Sequence, residues 1–371
     1  MQNPRKPTAA IVAAWAMLII ILDTKTAIMG ASSGLELCIR TIIPSLFPFI
    51  FLSGIINNGL LGQKVALLNP LGRLCKIPKG SESILLLGFL AGYPVGAQVI
   101  TQAYRQKQLS EAAAIRMLGF CNNAGPAFLF GIFSVIFSNP VIPWVLWAVH
   151  IASALLVGYI LPCNTAEKCR IKPRTQVSIH TSLQNTIKTI SIICGWILLF
   201  RIIICFCEKW FLWILPVEIQ ILFSGLLELS NGCIMLQRIP DEGIRFILAS
   251  PILAFGGLCV AMQTSSVTQE LNCGNYFPGK VLQTLLSLLL SLFLYPLLFQ
   301  NSYLAIRTPL IMIIILVISI FIFTIKRKKL WQLQEECSII PLSDGRKEQK
   351  YAVSKKNHPF LQLLPTRRRH G

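Results

Sequence analysis

Two apolar segments of this chain are interrupted at their centres by residues that end helices, and the interruptions narrow what the chain can become. Gly92, Pro94 and Gly96 break residues 83–104, within GFLAGYPVGAQ, and Gly125 and Pro126 break residues 115–137, within FCNNAGPAFLFG. Both segments are long enough to enter a bilayer. In hydrocarbon an unpaired backbone N–H or C=O costs several kcal/mol, so broken helix survives there only against protein or a wet cavity. Paired breaks of this kind point to a transporter's binding site near the bilayer midplane.

Composition sets the class. Mean hydropathy is +0.64, with 54% hydrophobic and 13% charged residues, against about 25% charged in soluble proteins. An all-α polytopic membrane protein is expected. The net charge of +19 does not point to nucleic acid, because the basic residues crowd particular loops and the tail, as the positive-inside rule requires. Of the twelve cysteines, many lie in apolar runs, where a thiol acts as a small hydrophobe. The loop pair Cys163 and Cys169 falls on the expected cytoplasmic side, where disulfides are disfavoured. Four histidines without a CxxC or HExxH pattern give no reason to expect a metal or other cofactor. No nucleophile–base pair at membrane depth is evident, so no enzyme activity is expected.

Charge also sorts the segments by side. Residues 1–33 read as an uncleaved signal anchor, since the apolar run 8–22 follows basic MQNPRKP without a small-residue cleavage site. Residues 31–40 are expected as a short interfacial helix, and Pro44 opens the next span. Loop 62–82 carries Lys64, Arg73, Lys76 and Lys79 against one acid, and loop 162–188 carries Lys168, Arg170, Lys172, Arg174 and Lys188 against one. Both are expected in the cytoplasm, as is the tail 326–371, whose twelve Lys/Arg and four acids would lie on anionic lipid or simply anchor the topology. With segments 83–104 and 218–236 as re-entrant hairpins, eight spans remain and both termini are cytoplasmic. A full crossing by the first would export loop 162–188 against its charge. Each arm of that hairpin has about ten residues, roughly 15 Å of helix and half the hydrocarbon thickness.

The halves 34–161 and 189–325 correspond in outline. GFLAGYPVG at 88–96 has a counterpart in SGLLELSNG at 224–232, and SEAAAIRML at 110–118 in PDEGIRFIL at 240–248, including an acidic start and an Ile-Arg pair. Each unit reads as span, hairpin, broken span, and the second enters from the opposite side. Such inverted repeats bind solutes at the midplane in many secondary transporters.

Each candidate site residue has a plainer role beside it. Gly92, Tyr93, Pro94 and Gly96 would form a hairpin tip whose amides approach a ligand, or a tight turn packed on protein. Asn122 and Asn123 can donate to a carboxylate or join helices as polar glue. Glu228 is the acid deepest in an apolar segment, a candidate for coupling or ion binding, with Ser230 and Asn231 beside it on the second tip. Arg201 would attract an anionic substrate, pair with Glu228, or snorkel outward. His150 reads as a packed histidine, and Trp144, Trp147, Trp210 and Trp213 as interfacial anchors.

The stretches PSLFPFIFLSG (44–54), GFLAGYPVGAQ, FCNNAGPAFLFG and ELSNG (228–232) resemble the sporulation integral membrane protein YlbJ family. Its gate, or nucleoside-recognition, domain is shared with concentrative nucleoside transporters and spore maturation proteins. The resemblance covers roughly residues 34–299, with Gly-Tyr-Pro-x-Gly and Cys-Asn-Asn as its specific motifs. The second half departs from it, having Ser250-Pro251 where the first has Cys121-Asn122. The resemblance implies endospore formation in a Gram-positive bacterium. It further implies movement of a small anionic metabolite, with dipicolinate as the named candidate, across the cytoplasmic membrane or a membrane around the forespore. Other sporulation membrane proteins are candidate partners. Residues alone lead only to a small-solute transporter, and two other expectations stand beside it: a non-transporting scaffold for spore envelope or cortex assembly, and a nucleoside transporter.

Overall fold

Apolar runs in this chain fold as helices because a helix satisfies every interior backbone N–H and C=O within its own segment. The computed structural model describes residues 7–60, 66–163, 178–271 and 274–299, and among the described residues there is no strand. The expected span at 304–325, the basic tail and most of loop 162–188 lie outside them.

Helix α1 (Pro7–Leu22) ends at Asp23, whose carboxylate accepts the Thr26 N–H and caps α2 (Thr24–Leu37). Through a π-helical turn, Cys38–Ile42, α2 continues into α3 (Ile43–Leu60). No separate interfacial helix exists at residues 31–40. Gly30 and Gly34 explain the difference: they seat α2 against a later helix so closely that a Cβ on Gly30 would meet the Ile202 Cα at 2.7 Å. A segment packed that tightly on a span becomes part of a span.

After the short α4 (Asn69–Leu74), α5 (Glu82–Leu90) and α6 (Val95–Arg105) form the first hairpin. Their nine and eleven residues give arms of about 14 and 16 Å, half a bilayer core. Helices α7 (Glu111–Leu118) and α8 (Pro126–Ile136) are the two parts of a broken span, followed by α9 (Val141–Ile160) and the 32-residue α10 (Ile179–Trp210). The second hairpin is α11 (Val217–Leu227) and α12 (Leu229–Met235), and the second broken span α13 (Glu242–Phe255) and α14 (Gly257–Val267). Helix α15 (Tyr276–Phe299) closes the described chain.

Among the described residues five helical stretches are long and apolar enough to cross a membrane: Thr24–Ile56, Val141–Ile160, Ile179–Trp210, Glu242–Val267 and Tyr276–Phe299. Ala10–Leu22, α8 and α11 are apolar but shorter. Leu22, Val135, Trp144 and Leu297 point outward, a surface suited to lipid rather than water. This is a polytopic α-helical membrane protein.

The two halves also use their Ile-Arg arginines alike. Arg116, buried on α7, donates to the carbonyls of Cys75 (2.7 Å) and Gly158, at the ends of α4 and α9. Arg245, on α13, donates to the Ile136 carbonyl at the end of α8 (2.7 Å) and to that of Ile239. Each guanidinium satisfies carbonyls that a helix end leaves unpaired.

Candidate functional site

Close packing of backbone on backbone assembles the centre of the molecule. Gly88 and Gly96, on the two arms of the first hairpin, pinch the Cys121 carbonyl: a Cβ on either would stand 2.0 or 2.1 Å from its oxygen. The tip turns at Gly92 (φ +83°), where a Cβ would come within 2.9 Å of the Gly125 nitrogen. Hairpin tip and helix break therefore touch. The second half repeats the contact. Gly256 and Gly257 break the span with φ of +81° and +82°, and a Cβ on Gly257 would lie 3.0 Å from the Gly225 carbonyl oxygen and 3.2 Å from that of Leu227. The second break thus falls at Gly256-Gly257 and not at Ser250-Pro251, which stay inside α13. Ser250 and Ser287 instead exchange hydroxyl-to-carbonyl bonds of 3.0 Å between α13 and α15.

Irregular backbone at residues 119–125 is buried, so its neighbours must complete it. Asn122 Oδ1 accepts the Ala97 N–H (3.3 Å) at the start of α6, and its Nδ2 donates to Thr264 Oγ1 (2.9 Å) on α14. Its contacts are those of interhelical glue. Replacing Asn122 with Ala should cost about 1–3 kcal/mol by orphaning the buried Ala97 N–H, read as a lowered unfolding temperature in detergent. Asn122→Asp keeps the acceptor and should recover part of the loss, and unchanged stability in the alanine variant would refute the assignment. His150 Nε2 accepts the Ala124 N–H at 3.1 Å, a packed histidine as its sequence context indicates.

Asn123 turns the other way, into a buried polar cluster. Its Oδ1 lies 3.3 Å from Lys280 Nζ and 3.0 Å from Gln283 Nε2, and Lys280 Nζ also lies 2.8 Å from the Tyr93 hydroxyl. Sequence reading missed Lys280 and Gln283. The signal was a stripe on α15, since Lys280, Gln283, Ser287 and Ser291 recur at helical spacing and all four are buried.

On the second tip Glu228, 2% exposed, is the N-cap of α12. Its two carboxylate oxygens accept the N–H groups of Ser230 (2.9 Å) and Asn231 (2.7 Å). Arg201 lies elsewhere: it donates to the Asn231 amide oxygen and to Ser33 Oγ (2.9 Å), and stands 3.8 Å from Glu208.

The two tips share one small void. About 30 Å³ in volume, it is walled by Tyr93, Ala124 and Gly125 of the first half, Glu228, Ser230 and Gln263 of the second, and Ile193 and Ile197 of α10. Among the residues singled out from sequence, Tyr93, Glu228 and Ser230 meet there. Gly96 and Asn122 are not in its walls, while Asn231 and Arg201 line a separate cavity of about 290 Å³ with Glu208 and Arg238. A third cavity, about 890 Å³ and open, runs along α6 and residues 185–199 of α10, with Gln98, Thr101, Arg105, Asn185, Lys188 and Trp196 in its walls.

Hairpin tips meeting helix breaks around a polar void, inside a bundle of apolar helices, define an integral membrane protein with a buried polar centre. The chain is similar to the sporulation integral membrane protein YlbJ of Bacillus subtilis (strain 168), 23% identical over 297 residues that cover 68% of this chain and 72% of YlbJ. That likeness supports a distant relationship to the YlbJ family. No family model matches the chain, and no solved structure matches it significantly.

Proposed function

We propose that this protein is a secondary transporter that moves a small anionic metabolite, dipicolinate being the first candidate, across a membrane during spore formation. One observation carries the reading: the void between the two tips lies beside α10, with the large cavity along residues 185–199 of that helix and the smaller one further on, at Arg201 and Glu208. Lys188 and Glu208, in the two outer cavities, are twenty residues apart on α10, about 30 Å of helix and so about the thickness of the hydrocarbon core. Ile193 and Ile197 place the void between them. A site reachable in turn from either side, between two related units, is what alternating access requires.

At about 30 Å³ the void has room for water but not for a dicarboxylate, so this conformation is the occluded one and a dicarboxylate enters only when the tips part. Glu228 faces the void as the group that binds a coupling cation or proton. The basic loops put the large cavity, with Arg105 and Lys188, on the cytoplasmic side. Involvement in sporulation is inferred from YlbJ.

Uptake into proteoliposomes tests the reading, with dipicolinate and a nucleoside offered separately under proton and sodium gradients. Saturable uptake of dipicolinate is expected. Uptake of the nucleoside alone would overturn the substrate while keeping the transporter. No uptake of either, from folded protein under every gradient, would move the function to a membrane scaffold.

A further inference from the structure

We propose that Lys280 is the residue that pairs with the substrate's negative charge, and that Tyr93 covers it in the occluded state. The proposal deepens the transport reading above and rests on it. Lys280 is the one charged residue in the 24 residues of α15, and its side chain is 1% exposed. Three oxygens surround Nζ: Tyr93 Oη and Gln283 Oε1, each at 2.8 Å, and Asn123 Oδ1 at 3.3 Å. The amides are held with oxygen towards the lysine. Gln283 Nε2 donates to Asn123 Oδ1 (3.0 Å) and to the His150 carbonyl (3.3 Å), and Asn123 Nδ2 donates to the Phe120 carbonyl (2.7 Å).

All three partners are neutral. Among the described residues no carboxylate lies within ion-pair distance of Lys280. A buried cation is stable when a counter-charge pairs with it, and neutral dipoles supply only part of that. Of the three oxygens, only the Tyr93 hydroxyl belongs to a hairpin tip, and Tyr93 both bonds to Lys280 and lines the void, which Lys280 itself does not reach. Moving the first tip therefore removes one acceptor and opens Nζ towards the space where a solute would sit. A carboxylate arriving there replaces a phenol oxygen with a charged acceptor, the stronger kind of hydrogen bond. A second donor stands close by. Because His150 Nε2 accepts the Ala124 N–H, the proton of the neutral ring is on Nδ1, which is buried and without a partner among the described residues.

The test is dipicolinate binding to the full chain in detergent, followed by calorimetry, with uridine as the neutral probe. Lys280→Met should weaken dipicolinate binding by about 30-fold or more, the loss of a buried charged hydrogen bond, a far larger effect than on the uncharged uridine. Lys280→Arg should retain most of the affinity. Tyr93→Phe, which removes the competing oxygen, should bind at least as tightly as the parent. Should Lys280→Met fail to fold, Lys280→Gln, which keeps polar contact with Asn123 and Gln283, is read in its place with the same expectation. Parent and Met variant binding dipicolinate equally would overturn the proposal and leave the transport reading intact. A parent that binds neither probe would overturn the anionic-substrate reading and this assignment with it.

Discussion

Gly88→Ala and Gly96→Ala should each abolish the native packing of the first hairpin. A Cβ at either position would stand 2.0 or 2.1 Å from the Cys121 carbonyl oxygen, and that oxygen belongs to backbone held between α7 and α8. No side chain can swing aside to relieve the contact, so α5 or α6 must separate from the break. The expected loss is about 3 kcal/mol or more, at the upper end of overpacking effects and a large share of the stability of a single domain. Thermal unfolding and size-exclusion profiles in detergent would show it. Gly131→Ala is the control, since nothing lies within 4 Å of its added methyl. In mid-helix that change should be neutral or stabilising by up to about 1 kcal/mol. A Gly96→Ala protein as stable as the parent would refute the packing account.

Glu228→Gln should separate folding from transport. The carboxylate caps α12 with both oxygens, on Ser230 N and Asn231 N. A glutamine supplies one such oxygen and turns an NH₂ towards the other donor. The cost should be about 1–2 kcal/mol, the range for a weakened N-cap, and the protein should remain folded. Uptake should fall by about 100-fold or more, because the void would lose its one carboxylate, the group able to hold a coupling cation or proton. Both readings are needed: stability from unfolding in detergent, transport from proteoliposomes. Near-normal uptake would remove Glu228 from coupling and leave it as a helix cap.

Much of the centre could be read from residue types. Gly92 and Pro94 end helices wherever they occur, and in an apolar run they have few structural outlets, so the first hairpin could be placed from its sequence. Glu228 stood out because an acid amid apolar residues needs a partner. What could not be read was which polar groups face one another. Lys280 lies near the start of its span, where lysines usually reach outward to the interface, and only packing shows that it turns inward to Tyr93 and Asn123. The position of the second helix break was likewise not read from sequence, where Pro251 is as conspicuous a breaker as Gly256-Gly257. Within packed protein a proline's lost hydrogen bond is tolerated, whereas two consecutive residues at positive φ demand glycine.

By itself the sequence determined that this chain enters a membrane as helices and where residues 83–104 and 115–137 break, and it showed corresponding motifs in the two halves. Each of these follows from local rules, since helix formation in hydrocarbon and the conformational range of glycine and proline depend only on neighbouring residues. Tertiary structure alone decided that the tips touch the breaks, that Tyr93 and Glu228 share one void, and that Lys280 bonds to the Tyr93 hydroxyl. Those contacts join residues up to 187 positions apart, and they depend on how closely glycine lets one backbone approach another.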